Sequence, residues 1–260
     1  MKIISLGWGV QSFTLAAMVA LGELEPVDYA VHADTTHESK LTYEFSDRWT
    51  GWLEKRGVRV ITVKPNRSDP IDNGYGQQDV PFYSLNLKGD QGQGKRQCTL
   101  QWKIIPVRRQ ISLELKQKAL NKTPGIIEQW IGISLDEFPR MRNSDVKYIN
   151  NRYPLVENKM TRVDCVKWLE TRGLEVPPRS ACVFCPFHNT VEWRKIKETK
   201  EDWDKAVAVD RLIRNSRSHK DLFVFVHPNR KPLENVDLRT AEEKGQLTLW
   251  DNECSGICGV

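Results

Sequence analysis

The chain has 260 residues, 39% hydrophobic and 28% charged, with a formal net charge of +5. That length suits one large α/β domain, or a domain with an appendage, and it buries a substantial core. No apolar run is long enough to cross a membrane, and Met1-Lys2-Ile3 leads straight into a predicted strand, so no membrane partner or signal peptide is expected and the location is read as cytoplasmic.

The first predicted strand, residues 2–5, runs into Ser5-Leu6-Gly7-Trp8-Gly9-Val10-Gln11-Ser12 and then into an apolar helix over 13–21. Residues 28–33 read as a second strand, 41–55 as an amphipathic helix ended by Gly57, and 58–63 as a third strand. Strand, helix, strand, helix, strand within about sixty residues predicts a doubly wound, mainly parallel α/β sheet with right-handed crossovers. Residues 65–96 are rich in Asn, Asp, Gly and Gln; they read as a flap over a ligand site, or as a tolerated surface insertion. A helix to about Leu120, a strand over 126–131 and a helix over 161–172 closed by Gly173 follow. Asn189-Thr190-Val191-Glu192 forms a capping box, a basic helix covers 202–215, and 222–226 is a last strand. The expected organisation is an α/β domain over 1–155 and a helical, Cys-containing part over 156–260 packed on it.

In doubly wound sheets ligands sit at the carboxyl ends of the strands. There, two glycines and a helix start suit phosphate: the backbone can approach closely, and the first N–H groups and the dipole point outward. The loop is not a Walker sequence, because no Lys follows its second Gly. A strand-to-helix turn with no ligand is the plain alternative. Asp34-Thr35 ends the second strand, where Asp34 is either a helix cap or a ribose or metal contact. Gly132 to Arg142 follows a fourth strand end. Of the basic residues Arg96, Lys103, Arg108, Arg109, Arg140 and Arg142, the last two are favoured for phosphate because they follow that end.

These motifs resemble the phosphoadenosine phosphosulfate (PAPS) reductase family of the adenine-nucleotide α-hydrolase-like, or PP-loop, superfamily, whose loop is usually Ser-Gly-Gly-x-Asp-Ser. Gln11 stands at the Asp position, so one magnesium contact is in question. The resemblance spans about 180 residues: the loop, Asp34-Thr35-x-x-Glu38, Cys98-x4-Lys103-x2-Pro106, Gly132-x4-Glu137-x2-Arg140, Tyr153-Pro154-Leu155 and Cys182-x2-Cys185. It also extends to stand-alone members found in phage- and defence-associated settings. It implies a Rossmann-like fold with an adenine nucleotide, ATP or another, and Mg2+ bound by Ser5, Gly7, Trp8, Gly9, Gln11, Ser12, Asp34, Thr35, Gly132, Arg140 and Arg142.

Six cysteines in a reducing compartment read as metal ligands or redox thiols. Cys182-x2-Cys185 can place two thiolates on one metal, Cys98 follows the flap, and Cys165 is an available fourth ligand. Together they suit a [4Fe–4S] cluster or, alternatively, Zn2+. Mid-helix among Val163, Val166 and Leu169, Cys165 also reads as a buried apolar residue. His188 is a ligand, a proton donor or a packed side chain. The resemblance implies a nucleophile at Cys254, with Cys258 nearby; the pair alternatively supplies cluster ligands in place of Cys165.

Three functions follow. The favoured one is ATP-dependent adenylation of an acceptor with release of pyrophosphate, for sulfur-linked modification of a nucleic acid, with Asp34 and Arg140 in the chemistry. The second is thiol-dependent reduction of adenylyl sulfate or PAPS by Cys254. The third is a nucleotide- or nucleic-acid-binding accessory protein. A homodimer is left open.

Overall fold

The computed structural model describes residues 1–66, 79–214, 222–240 and 243–244. In chain order its strands are β1 (Lys2–Ser5), β2 (Tyr29–Ala33), β3 (Val60–Val63), β4 (Tyr83–Asn86), β5 (Gln91–Gln93), β6 (Ile127–Ile131), β7 (Ile149–Arg152) and β8 (Leu222–Phe225). The α-helices are α1 (Val10–Ala20), α2 (Lys40–Glu54), α3 (Ile105–Gln117), α4 (Pro154–Glu157), α5 (Arg162–Thr171), α6 (Thr190–Glu198) and α7 (Lys200–Arg214). The chain divides into two compact units, Met1–Asn66 with Leu100–Ser180, and Arg67–Thr99 with Ala181–Val260.

The first unit holds a five-stranded sheet in the order β3-β2-β1-β6-β7, every pair parallel. Alternation along the strands sends neighbouring residues to opposite faces. Ile4, Ala30 and Trp130 join Phe13 and Leu15 of α1, Phe45 and Leu53 of α2, and Leu169 of α5 in one core. Ile3, Tyr29, Val31 and Ile127 join Val107, Ile111 and Leu115 of α3 in the other. Helices thus cover both faces, which is the doubly wound α/β architecture expected. Nine of the eleven residues of α1 are buried, so this helix is apolar on nearly every side.

The observed division departs from the expected boundary at 155. Residues 156–180 belong to the first unit because Cys165, Trp168 and Leu169 of α5 pack in the core beside α1. A capping box between Thr161 and Asp164 opens that helix. Gly173, at φ +65°, follows its end in the left-handed region that glycine adopts without strain.

The second unit contains an antiparallel sheet, β5-β4-β8. Part of the expected flap is therefore sheet: β4 and β5 form a hairpin in which the Asn86 side chain accepts the Lys88 and Asp90 amides. Residues 67–78 of that flap lie outside the described residues. Helices α6 and α7 pack together, and α7 packs on β8. Asp210 of α7, fully buried, pins the unit by accepting the Val226 and Leu233 amides and the Arg214 Nε. Among the described residues no helix is long and apolar enough to cross a membrane.

Candidate functional site

The order of the first sheet reverses between β1 and β6, because β2 and β3 lie to one side and β7 to the other. A crevice outside the carboxyl ends of β1 and β6 is the ligand position such a reversal creates. The loop 5–12 and the segment 132–142 both leave from those ends.

Trp8 turns the loop at φ +56°. That left-handed conformation strains a bulky residue by roughly 1–3 kcal/mol, offset by burial of the indole. The ring is 1% exposed and lies 6.2 Å from both His32 and Phe45. Expected as a ligand contact, Trp8 has its side chain in the core and offers the site only backbone. Ser12 Oγ accepts the Gly7 amide at 3.1 Å and donates to the Gly9 carbonyl at 3.2 Å, closing the loop on itself. Ser5 Oγ accepts from Gln129 Nε2.

Gly9 caps α1 with an extended backbone, φ −89°, and no side chain caps the helix. A Cβ built on Gly9 meets nothing within 4 Å. The first-turn amides of a helix lack intrahelical partners, so a positive, uncapped helix start borders open space. Gly132 is the opposite case. A Cβ there would lie 2.6 Å from the Ser12 nitrogen and 2.7 Å from its Cα. Its role is close packing of the β6 end against α1.

Gln11 is 9% exposed, and its carboxamide is fully engaged. Its Oε1 accepts from Arg162 Nη1 at 3.0 Å, while Nε2 donates to Glu137 Oε2 at 3.2 Å and Ser134 Oγ at 3.4 Å. Arg140 Nη1 donates to Glu137 Oε1 at 2.7 Å. Arg142 instead folds back on the Pro139 and Met141 carbonyls, and Tyr153 Oη donates to the Arg142 carbonyl. Glu137 stood in the Gly132-x4-Glu137-x2-Arg140 motif without a role of its own, and Ser134 and Arg162 carried no signal in the sequence. Asp136 accepts the Arg162 amide at 2.8 Å. Burial opposes its ionisation, but Ser134 and the Arg162 amide outweigh that and hold its carboxyl below the usual value.

At the end of β2, Asp34 Oδ1 accepts the Thr36 amide at 2.7 Å and Tyr43 Oη at 2.8 Å, and Lys64 Nζ lies 3.6 Å from Oδ2. This buried Asx turn carries Thr36 at φ +65° and ties the strand end to α2. Burial, then the Asp34 hydrogen bond, pushes the Tyr43 phenol well above its ordinary range. Thr35 is buried. Glu38, 2% exposed, lies 3.6 Å from Lys103 Nζ and accepts from Ser180 Oγ at 3.1 Å. Beneath them His32 contacts the Leu6 carbonyl through Nδ1 at 3.1 Å. Burial lowers its pKa, so the ring is neutral near pH 7 and Nδ1 carries the donated proton. Arg108 pairs with Asp145, and Arg109 donates to the neutral Asn66 side chain.

The cysteines fall in different places. Cys165 lies at 0% exposure in the core of the first unit, and burial pushes its thiol up to about 11. Cys98, Cys182 and Cys185 belong to the second unit and are half-buried. There the Asp79 carbonyl accepts both the Gln97 and Cys98 amides, and the Cys182–Cys185 turn is closed by the Cys185 amide on the Cys182 carbonyl. His188 Nε2 contacts that same carbonyl at 2.8 Å, and Nδ1 lies 3.5 Å from Glu192. His188 therefore braces the turn. Among the described residues no group of three or more His, Cys, Asp or Glu is arranged to hold a metal ion, so the expected four-thiolate set is not assembled there. Cys254 and Cys258 lie outside the described residues.

No family model and no curated protein matches this chain. Several solved structures are similar to it, among them the following two. One is the phosphoadenylyl-sulfate (PAPS) reductase from Candida auris in a phosphate complex, 11% identical, covering 68% of this chain and 74% of its own, with a TM-score of 0.44. The other is the U34-tRNA thiolase NcsA from Methanococcus maripaludis with its [4Fe-4S] cluster, 12% identical, covering 83% of this chain and 72% of its own, with a TM-score of 0.38.

Proposed function

We propose that the first unit binds ATP with magnesium, its phosphates against the Gly7–Ser12 backbone, and activates an acceptor by adenylation. The observation that carries this reading is the uncapped start of α1, bordered by open space at Gly9 and lying where the sheet order reverses. A nucleophile on the acceptor forms the new bond to the α-phosphorus. The bond from that phosphorus to the bridging oxygen breaks, and pyrophosphate leaves with its electron pair. Amides of the first turn, together with the more than half-exposed Arg140, face the charge that grows on the leaving group. Magnesium, arriving with the nucleotide, supplies further charge neutralisation.

Gln11 is uncharged and engaged, so the loop itself supplies no carboxylate at that position. Asp34 and Glu38 are held by Tyr43, Lys64, Lys103 and Ser180 and support the wall of the site. The acceptor we propose is a nucleic acid, because the whole net charge of +5 resides in the first unit while the second is balanced.

The test is release of pyrophosphate from ATP in the presence of candidate RNA and DNA acceptors, with Gly9→Val as the control. Activity that survives Gly9→Val overturns the reading. One sequence feature favours a second reading, the Glu253-Cys254-Ser255-Gly256 tail. There the Cys254 thiolate attacks the sulfur of adenylyl sulfate or PAPS, the nucleoside phosphate leaves, and a dithiol reductant frees sulfite. Sulfite release that is lost in Cys254→Ser establishes that reading and displaces the first.

A further inference from the structure

We propose that Gln11 is the positioning residue of the phosphate site: its carboxamide fixes Glu137, and Glu137 holds Arg140 at the start of α1. The inference rests on the nucleotide-binding reading above and concerns how Arg140 is aimed. A carboxamide is the one short side chain with an acceptor for a guanidinium at one corner and donors for a carboxylate at the other. Gln11 meets both demands, taking Arg162 on Oε1 and giving Nε2 to Glu137 and Ser134. The opposite amide orientation would set oxygen against carboxylate and NH2 against guanidinium, so the charges on either side determine it. An acid at position 11 would face Glu137 across the same 3.2 Å as a like charge.

Glu137 divides its two oxygens, Oε2 to Gln11 and Oε1 to Arg140. Arg140 has a side chain 55% exposed, and its bond to Glu137 uses Nη1 alone. The remaining donors of the planar fork are thereby oriented without being consumed, which suits bidentate capture of phosphate oxygens. Removing the carboxamide frees Glu137 and turns Arg140 into an unrestrained surface cation.

The experiment is a double-mutant cycle read by calorimetric titration of inorganic pyrophosphate, repeated with ATP and magnesium, on wild type, Gln11→Met, Arg140→Ala and the double variant. Circular dichroism and thermal melts establish that each is folded. Gln11→Met is expected to weaken pyrophosphate binding about tenfold when Arg140 is present, and less than about twofold in the Arg140→Ala background. Equal losses in both backgrounds overturn the inference and make Gln11 a scaffold residue. If Gln11→Met does not fold, Glu137→Gln, which keeps the shape, is expected to show the same dependence on Arg140. Wild type that binds pyrophosphate but not ATP overturns the nucleotide reading while leaving this inference testable by the cycle; wild type that binds neither overturns both.

Discussion

Gly132 and Ser12 lie so close that a methyl group on Gly132 would sit 2.6 Å from the Ser12 backbone nitrogen. Both obstructing atoms are backbone, so no rotamer change relieves the clash, and α1 would have to shift off the end of β6. Gly9, three residues before Ser12, has extended backbone and open space around it. The two glycines should separate cleanly. Gly132→Ala is expected to lower stability by about 1–3 kcal/mol, the scale of overpacking, as read by urea denaturation. Gly9→Val is expected to cost no more than about 1 kcal/mol, the scale of a poor helix cap, and to lose nucleotide binding. A stable Gly132→Ala protein would contradict the packing role.

Trp8 combines a costly backbone conformation with a fully buried ring. Trp8→Ala should destabilise by about 3–5 kcal/mol through the cavity it leaves. Alanine also keeps most of the left-handed strain, which glycine escapes. Trp8→Gly is therefore expected to be at least as stable as Trp8→Ala, although it buries less. Denaturation midpoints in the reverse order would show that the loop does not turn at position 8 as described.

The strands read at 2–5 and 126–131 and the capping box at Asn189–Glu192 were legible because their signals are local: apolar runs and a polar cap three residues before its partner. β7 was not, since Ile149-Asn150-Asn151-Arg152 has one apolar side chain and earns its place by pairing with β6. The β4–β5 hairpin was hidden among Asn, Gly and Gln that read as loop, because its third strand lies far along the chain in β8. The loop itself was legible, yet its use of Gln11 was not. Glu137 is 126 residues away, and no local pattern reports such a contact. Asp34 was found at the right strand end, but Tyr43 and Lys64, which decide what its oxygens do, carried no motif.

Cys165 packs at 0% exposure in the first unit's core with its thiol raised to about 11 by burial, so it stays protonated near pH 7. A protonated, enclosed thiol is a poor metal ligand. Cys165→Ala is expected to cost about 1–3 kcal/mol and to leave the iron and zinc content of anaerobically purified protein at the wild-type level. Metal analysis of Cys98→Ser, Cys182→Ser and Cys185→Ser provides the comparison. Loss of metal from Cys165→Ala, with the fold intact by circular dichroism, would restore this residue to the ligand set.

His227 makes stability depend on acid. Its ring is 6% exposed, 6.0 Å from the Trp193 ring, and Nδ1 accepts the Asn229 amide at 3.1 Å. Protonating Nδ1 removes that acceptor and places a charge in a buried surrounding. Burial accordingly pushes the pKa down from 6.5 to about 4, against the opposing pull of Asp210. Because the folded value is the lower one, the unfolded chain binds the extra proton first. The contribution of His227 is fully present above pH 6.5 and is lost as pH falls toward 4. His227→Asn preserves an oxygen that can accept from the residue two positions on, without the titration. Melting temperatures measured from pH 7.5 to 4 are expected to fall less steeply for His227→Asn than for wild type. Parallel curves would show that the ring does not stay neutral in the folded protein.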